Sequence, residues 1–160
     1  MFNRAGFNLV ITEEGIRAIN NTLGNLVLES GARAVLLLDK GGQLIAAQGE
    51  TNALDTLSLA ALITGSFSST KAIAGLLGEN EFKVMFQQGT NHSIFMAALS
   101  NTQNILATIF PNAITVGRIK YKCLQVLDTL EEQMKAMYSS TPESPFRKAA
   151  AAEPKINDLF

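Results

Sequence analysis

Residues 54–77 read LDTLSLAALITGSFSSTKAIAGLL, and the way this stretch folds decides the rest of the chain. Between Asp55 and Lys71 it carries no charge. Projected at about 100° per residue, Leu59, Leu62, Ile63, Ile73, Leu76 and Leu77 share a bulky face. Ala61, Gly65, Ser68 and Ala72 line up on another. A helix lying on a domain needs one apolar stripe, with polar residues opposite. A second stripe of small residues lets another backbone approach closely, a steric rule best documented in membranes. The spacing predicts a helix buried on its bulky face by its own domain and covered along its small stripe by a partner. The alternative is an internal helix covered twice within one subunit. A membrane span is not expected. The uncharged run falls short of the ~20 apolar residues a bilayer needs, and seven serines and threonines from Thr56 to Thr70 interrupt it.

Upstream of this stretch, two short apolar runs at 34–38 (AVLLL) and 44–47 (LIAA) flank Asp39-Lys40-Gly41-Gly42. That is the signature of a β-hairpin whose turn uses glycine at positive φ. The glycines lead into a strand and not into a helix N-terminus, so they form no phosphate loop. Before the hairpin, Thr12 is a good N-cap and Glu13 and Glu14 suit the positive end of a helix. Ile16, Ile19, Leu23, Leu26 and Val27 then recur at helical spacing up to Gly31. Downstream, Phe82, Val84 and Phe86 alternate with Lys83, Met85 and Gln87 over 81–87, the period of a half-buried strand. Runs at 94–99 and 105–110, separated by tight turns, complete an antiparallel meander. From Thr115 the helical period returns, with Val116, Ile119, Cys123, Val126, Leu127, Leu130, Met134 and Met137 in one stripe and Asp128, Glu131, Glu132 and Lys135 facing water. The order is α-β-β-α-β-β-β-α. It predicts an α/β sandwich of three layers, a five-stranded antiparallel sheet with the central helix on one face and two flanking helices on the other. The domain is expected over 1–138. A mobile tail is expected over 139–160, rich in Ser, Pro and Ala and ending in the apolar cluster Ile156-Asn157-Asp158-Leu159-Phe160.

The chain has 160 residues, 47% hydrophobic and only 17% charged, with a net charge of −1. Charge below the usual ~25% suggests that some surface is covered by another protein. No basic stripe alternates with aromatics, so nucleic acid is not expected as a partner. The single cysteine, Cys123, excludes an internal disulfide and fits a reducing compartment, and no secretory leader is evident, so the expected location is the cytoplasm. The only histidine, His92, stands where a turn enters a strand. Cys123 lies on an apolar stripe, where a thiol is inert. Ser68-Ser69-Thr70-Lys71 matches S-x-x-K, a nucleophile pattern in some acyl-transfer enzymes, but its companion motifs are missing. Glu13 with Glu14, and Glu131 with Glu132, read as helix-surface carboxylates. No metal cluster, cofactor motif or small-molecule substrate is expected, and the chain reads as a binding protein and not an enzyme.

Five segments stand out together: Ala32-Arg33-Ala34-Val35-Leu36-Leu37-Leu38-Asp39 with Gly42, residues 54–61 with Gly65-Ser66-Phe67, Leu76-Leu77-Gly78-Glu79 with Phe82, Gln88-Gly89, and Val116-Gly117-Arg118-Ile119. In this order they resemble the roadblock/dynein light chain family, and within it the bacterial MglB-like branch. The likeness spans roughly 13–137. It implies the roadblock fold, akin to profilin and longin domains, and a homodimer in which the central helices of two subunits pair and their sheets join edge to edge. It further implies binding to a Ras-like small GTPase of the MglA type, with acceleration of GTP hydrolysis by repositioning the GTPase's own groups, in bacterial cell polarity or gliding motility. The residues assigned to the GTPase platform are Leu57, Ser58, Ala61, Thr64, Ser68 and Lys71. Those assigned to the dimer are Ala61, Gly65, Ser68 and Ala72 at the seam, with Lys83 and Met85 on the joining strand. Arg33 is a weaker candidate for an inserted arginine. A scaffold that leaves hydrolysis unchanged is one alternative. A small-molecule sensor is another.

Overall fold

The structure, a computed structural model, describes residues 11–139. The tail expected over 139–160 therefore lies outside the described residues, except that Ser139 closes the last helix. Thr12 caps α1 (Glu13–Ser30): its hydroxyl accepts from the Gly15 N–H at 3.0 Å, and Glu13 and Glu14 stand at the positive end. Gly31 ends the helix at φ 77°, a conformation that favours glycine. β1 (Ala34–Leu38) and β2 (Leu44–Gly49) follow as an antiparallel hairpin. Its turn is organised by Asp39, whose Oδ1 accepts from the N–H groups of Gly41 and Gln43, each at 2.8 Å. β3 (Val84–Gln88), β4 (His92–Ala98) and β5 (Ile105–Pro111) form the expected meander. β5 then pairs with β1, giving the order β2-β1-β5-β4-β3 with every neighbour antiparallel.

Both faces of this sheet are covered. Val35 and Leu37 of β1 face a core built with α1 and α4 (Val116–Ser139), where Ile19, Leu23, Ile119, Leu130 and Met134 are buried. Ala34, Leu36 and Leu38 face the opposite core, under α2 (Thr56–Ser69), with Ala60, Ile63 and Phe67. Every residue of β1 is buried, so its sequence is an unbroken apolar run and not an alternation. The three-layer sandwich is the one predicted.

Three local expectations are corrected. The central helix does not run unbroken over 54–77. It stops at Ser69 and restarts as α3 (Lys71–Leu76), because the Thr70 hydroxyl donates to the Phe67 carbonyl at 2.7 Å and competes with the helical pattern. The third strand begins at Val84 and not at 81, although the Ala98 N–H still reaches the Lys83 carbonyl at 2.9 Å. As an edge strand it buries little. Phe86 stays exposed and stacks on Phe110 with ring centroids 6.2 Å apart.

The third correction is Glu131, which does not face water. It is 8% exposed, and its Oε1 accepts from the N–H groups of Asn101 and Thr102 at 2.6 and 2.8 Å while Oε2 takes the Thr102 hydroxyl at 3.3 Å. One carboxylate from α4 thereby holds the β4–β5 turn against the helix layer. Glu131→Ala strands two backbone donors and should cost about 2–3 kcal/mol. In thermal melts that is a fall of roughly 5–10 °C, with Glu131→Gln, which keeps an acceptor, falling less. Equal melting of all three proteins would remove this role.

Candidate protein-interaction face

Asp55 starts α2 by accepting from the Ser58 N–H at 3.1 Å and from its hydroxyl at 2.6 Å. The Ser58 hydroxyl chiefly, then its N–H, holds the Asp55 carboxyl below its ordinary value, so the cap stays ionised. Ala60, Ile63, Thr64 and Phe67, followed by Ala74 of α3, turn inward. Ala60 shares a core with Leu36, Met96 and Ile109, and its small side chain lets α2 settle close to the sheet.

The bulky face is therefore not the buried one. Of its six residues only Ile63 is buried and Leu59 half-buried. Leu62, Ile73, Leu76 and Leu77 are 71%, 54%, 88% and 69% exposed. Sequence reasoning missed these four as surface residues, since an uncharged helix offers no polar side to mark its outside. The signal was present in another form: residues 54–77 hold more large apolar groups than one face can bury. The small stripe does face outward, with Ala61, Gly65, Ser68 and Ala72 all exposed. A Cβ placed on Gly65 would meet nothing within 4 Å. The outward surface is thus two adjoining lanes, one small and flat, one of leucine and isoleucine. By length and composition alone, Thr56–Leu76 is apolar enough to cross a membrane, a test that the core helix of a soluble protein also passes. Its inward side is nevertheless packed on the sheet. An exposed apolar patch of this kind marks a protein-interaction site.

The residues assigned to the platform divide. Leu57, Ser58, Ala61, Ser68 and Lys71 lie on the surface, although Ser58 is engaged by Asp55. Thr64 does not: it is 8% exposed and turned toward Gly42 and the core. Lys83 is exposed at the sheet edge. Met85 is half-buried beneath α2, its Sδ 3.7 Å from the Thr70 hydroxyl. Arg33 is held by Glu50 Oε2 at 3.3 Å and by the His92 ring at 3.2 Å. Arg118 donates to the Glu29 carbonyl at 2.8 Å, closing the end of α1.

Cys123 behaves as a core residue. It is buried, 3.1 Å from the Thr108 hydroxyl, and burial pushes its thiol up to about 11. The native thiol therefore stays neutral up to about that pH, and the stability this gives is whole below about 9, where the unfolded thiol ionises, and is lost as pH rises from there through about 11. Iodoacetamide at pH 8 should leave the native protein unmodified by mass spectrometry and label it fully in denaturant. Rapid native labelling would show that the thiol is open.

Comparison with known proteins sets this face in context. The Roadblock/LC7 domain family matches residues 18–110. The structure is similar to Myxococcus xanthus MglB, with a TM-score of 0.75 and 32% identity over 85% of this chain and 99% of that one. It is also similar to the gliding protein MglB of Thermus thermophilus, at 0.75 and 24% over 82% and 99%. Acanthamoeba castellanii profilin IA shares the fold at 0.53 and 13% over 71% and 97%. No curated protein matches the chain.

Proposed function

The chain belongs to the Roadblock/LC7 family and to its MglB-like branch, and on that premise we propose that it is a homodimeric regulator of a bacterial Ras-like small GTPase of the MglA type. The observation that carries this reading is the outward face of α2 and α3. It is uncharged from Thr56 to Thr70, open at Gly65, and apolar at Leu57, Leu62, Ile73 and Leu76. The small lane suits a second copy of the same helix. The larger side chains beside it supply the anchors a different protein needs. Lys83, exposed just before β3, guards that sheet edge until the sheets of two copies join.

The regulator acts by arranging the GTPase's own catalytic groups, not by inserting an arginine. GTPase activators of the inserting kind carry a free guanidinium on the docking surface. No arginine lies between Arg33 and Arg118. Among the described residues, both of those side chains are engaged within the subunit, and Arg17 stands on α1, across the sheet from α2. The protein itself performs no chemistry on this reading. It works in the cytoplasm, in cell polarity or gliding motility.

The test is single-turnover GTP hydrolysis by an MglA-type GTPase from the same genome, measured with increasing amounts of this protein. The reading expects hydrolysis to accelerate to a plateau. Binding without acceleration would make the protein a scaffold, and no binding would refute the partner assignment.

A further inference from the structure

On the face of the sheet that holds the α1/α4 core, α1 lies over β1 and β2, and α4 lies over β5 and β4. The outermost strand, β3, projects beyond that helix layer as a shelf. Val84 is half-buried against the core, while Phe86, two residues on and on the same face, is 44% exposed. The flank of α4 above this shelf is apolar. Arg118 and Lys122 reach across to Glu29 and so mark the flank toward α1. Glu131, which reaches the β4–β5 turn, marks the other. Val116, Lys120, Leu124 and Leu127 share the Glu131 side at helical spacing. Val116 and Leu124 are exposed and Leu127 is half-buried. Lys120 is exposed and forms no ion pair among the described residues.

The chain itself supplies an occupant. It leaves α4 at Ser139, beside the near end of the shelf. There the Tyr138 hydroxyl reaches Asn104 Oδ1 at 3.4 Å, the Asn104 carbonyl accepts from the Leu99 N–H, and the neighbouring Ala98 N–H reaches the Lys83 carbonyl. From Tyr138 back to Leu124 along α4 is about 21 Å. Sixteen residues, 140–155, separate Ser139 from the cluster Ile156-Asn157-Asp158-Leu159-Phe160. A flexible linker of that length has an average reach of about 20–24 Å, and a tethered contact is strongest when reach and span agree. We propose that the 156–160 cluster docks on this shelf of its own subunit. Ile156, Leu159 and Phe160 cover Phe86, Leu124 and Leu127, and Asp158 lies beside Lys120. Joining two sheets at the β3 edge uses the strand's backbone and leaves this face open, so the contact does not rest on the GTPase reading.

The test attaches a nitroxide to the full chain through Asn157→Cys, the native Cys123 being buried, and reads methyl signals by nuclear magnetic resonance. The signals of Val116, Leu124 and Leu127 are expected to vanish through paramagnetic broadening, while Leu62 and Leu76, across the sheet, keep theirs. Adding Leu159→Ser and Phe160→Ser to the labelled chain should bring the Leu124 signal back with an unchanged circular dichroism spectrum. Spin-labelled protein without isotopes, refolded together with isotope-enriched protein without the label, separates the two copies, and in that mixture the Leu124 signal should survive. Loss at Leu62 and Leu76 instead would put the segment on the α2 face, and loss in the mixture would assign it to the partner subunit. Either result overturns the proposal, as does broadening that is not selective or that persists with both serines in place. No GTPase enters the readout, so failure here and failure of the regulator reading are separate results.

Discussion

A Gly65→Leu protein should fold as well as the parent and fail to pair. Leucine is a better helix former than glycine by somewhat under about 1 kcal/mol, and a Cβ at this position meets nothing within 4 Å in its own subunit. Folding of the isolated chain should therefore be unharmed. At a two-fold seam the intruding side chain appears twice. Overpacking costs typically 1–3 kcal/mol per site, so the dimer should weaken by roughly 30-fold to more than 10⁴-fold. Circular dichroism should show an unchanged helical signal, and sedimentation should show monomer at concentrations where the parent is dimeric. Stimulation of the GTPase should fall with the dimer. An unchanged dimer would place the seam elsewhere on the molecule.

Gly49→Ala should be the most damaging single methyl group in the described chain. Gly49 ends β2 at φ 96°, a region that an L side chain enters at a cost of about 1–2 kcal/mol. There its Cβ would stand 2.4 Å from the Arg33 carbonyl oxygen and 3.0 Å from the Ala34 Cα. Both obstacles are backbone, and that same carbonyl already accepts the Glu50 N–H at 2.8 Å. Relief requires the end of the hairpin to open, including the Ala34–Gly49 rung of the ladder. A loss of about 3–4 kcal/mol follows, seen as a melting temperature lower by about 10 °C. A fall of under about 2 °C would mean that the strand end yields without strain.

What the sequence discloses and what it conceals have physical causes. The capped start of α1, the Asp39 turn and the apolar runs of β1 and β5 are local signals, and the structure repeats them nearly residue for residue. The small lane of α2 was likewise legible, because Ala61, Gly65, Ser68 and Ala72 share a spacing that no core requires. Which flank of α2 faces inward was not. Without charges, periodicity cannot distinguish Ala60, Ile63 and Phe67 from Leu62, Ile73 and Leu76, and the choice is made by how closely the helix fits the sheet. Thr64 was misplaced for the same reason. Glu131 escaped because its partners, the Asn101 and Thr102 N–H groups, are thirty residues away in sequence and become neighbours only through the fold.

The pairing of two α2 helices along their small lane has one direct measurement. In a Gly65→Cys protein the sole native thiol, Cys123, is buried, so a short bismaleimide reports only on position 65. The account predicts rapid cross-linking to a band of twice the subunit mass, suppressed by adding Leu at position 61. Subunits that sediment as dimers yet never cross-link through position 65 would contradict it.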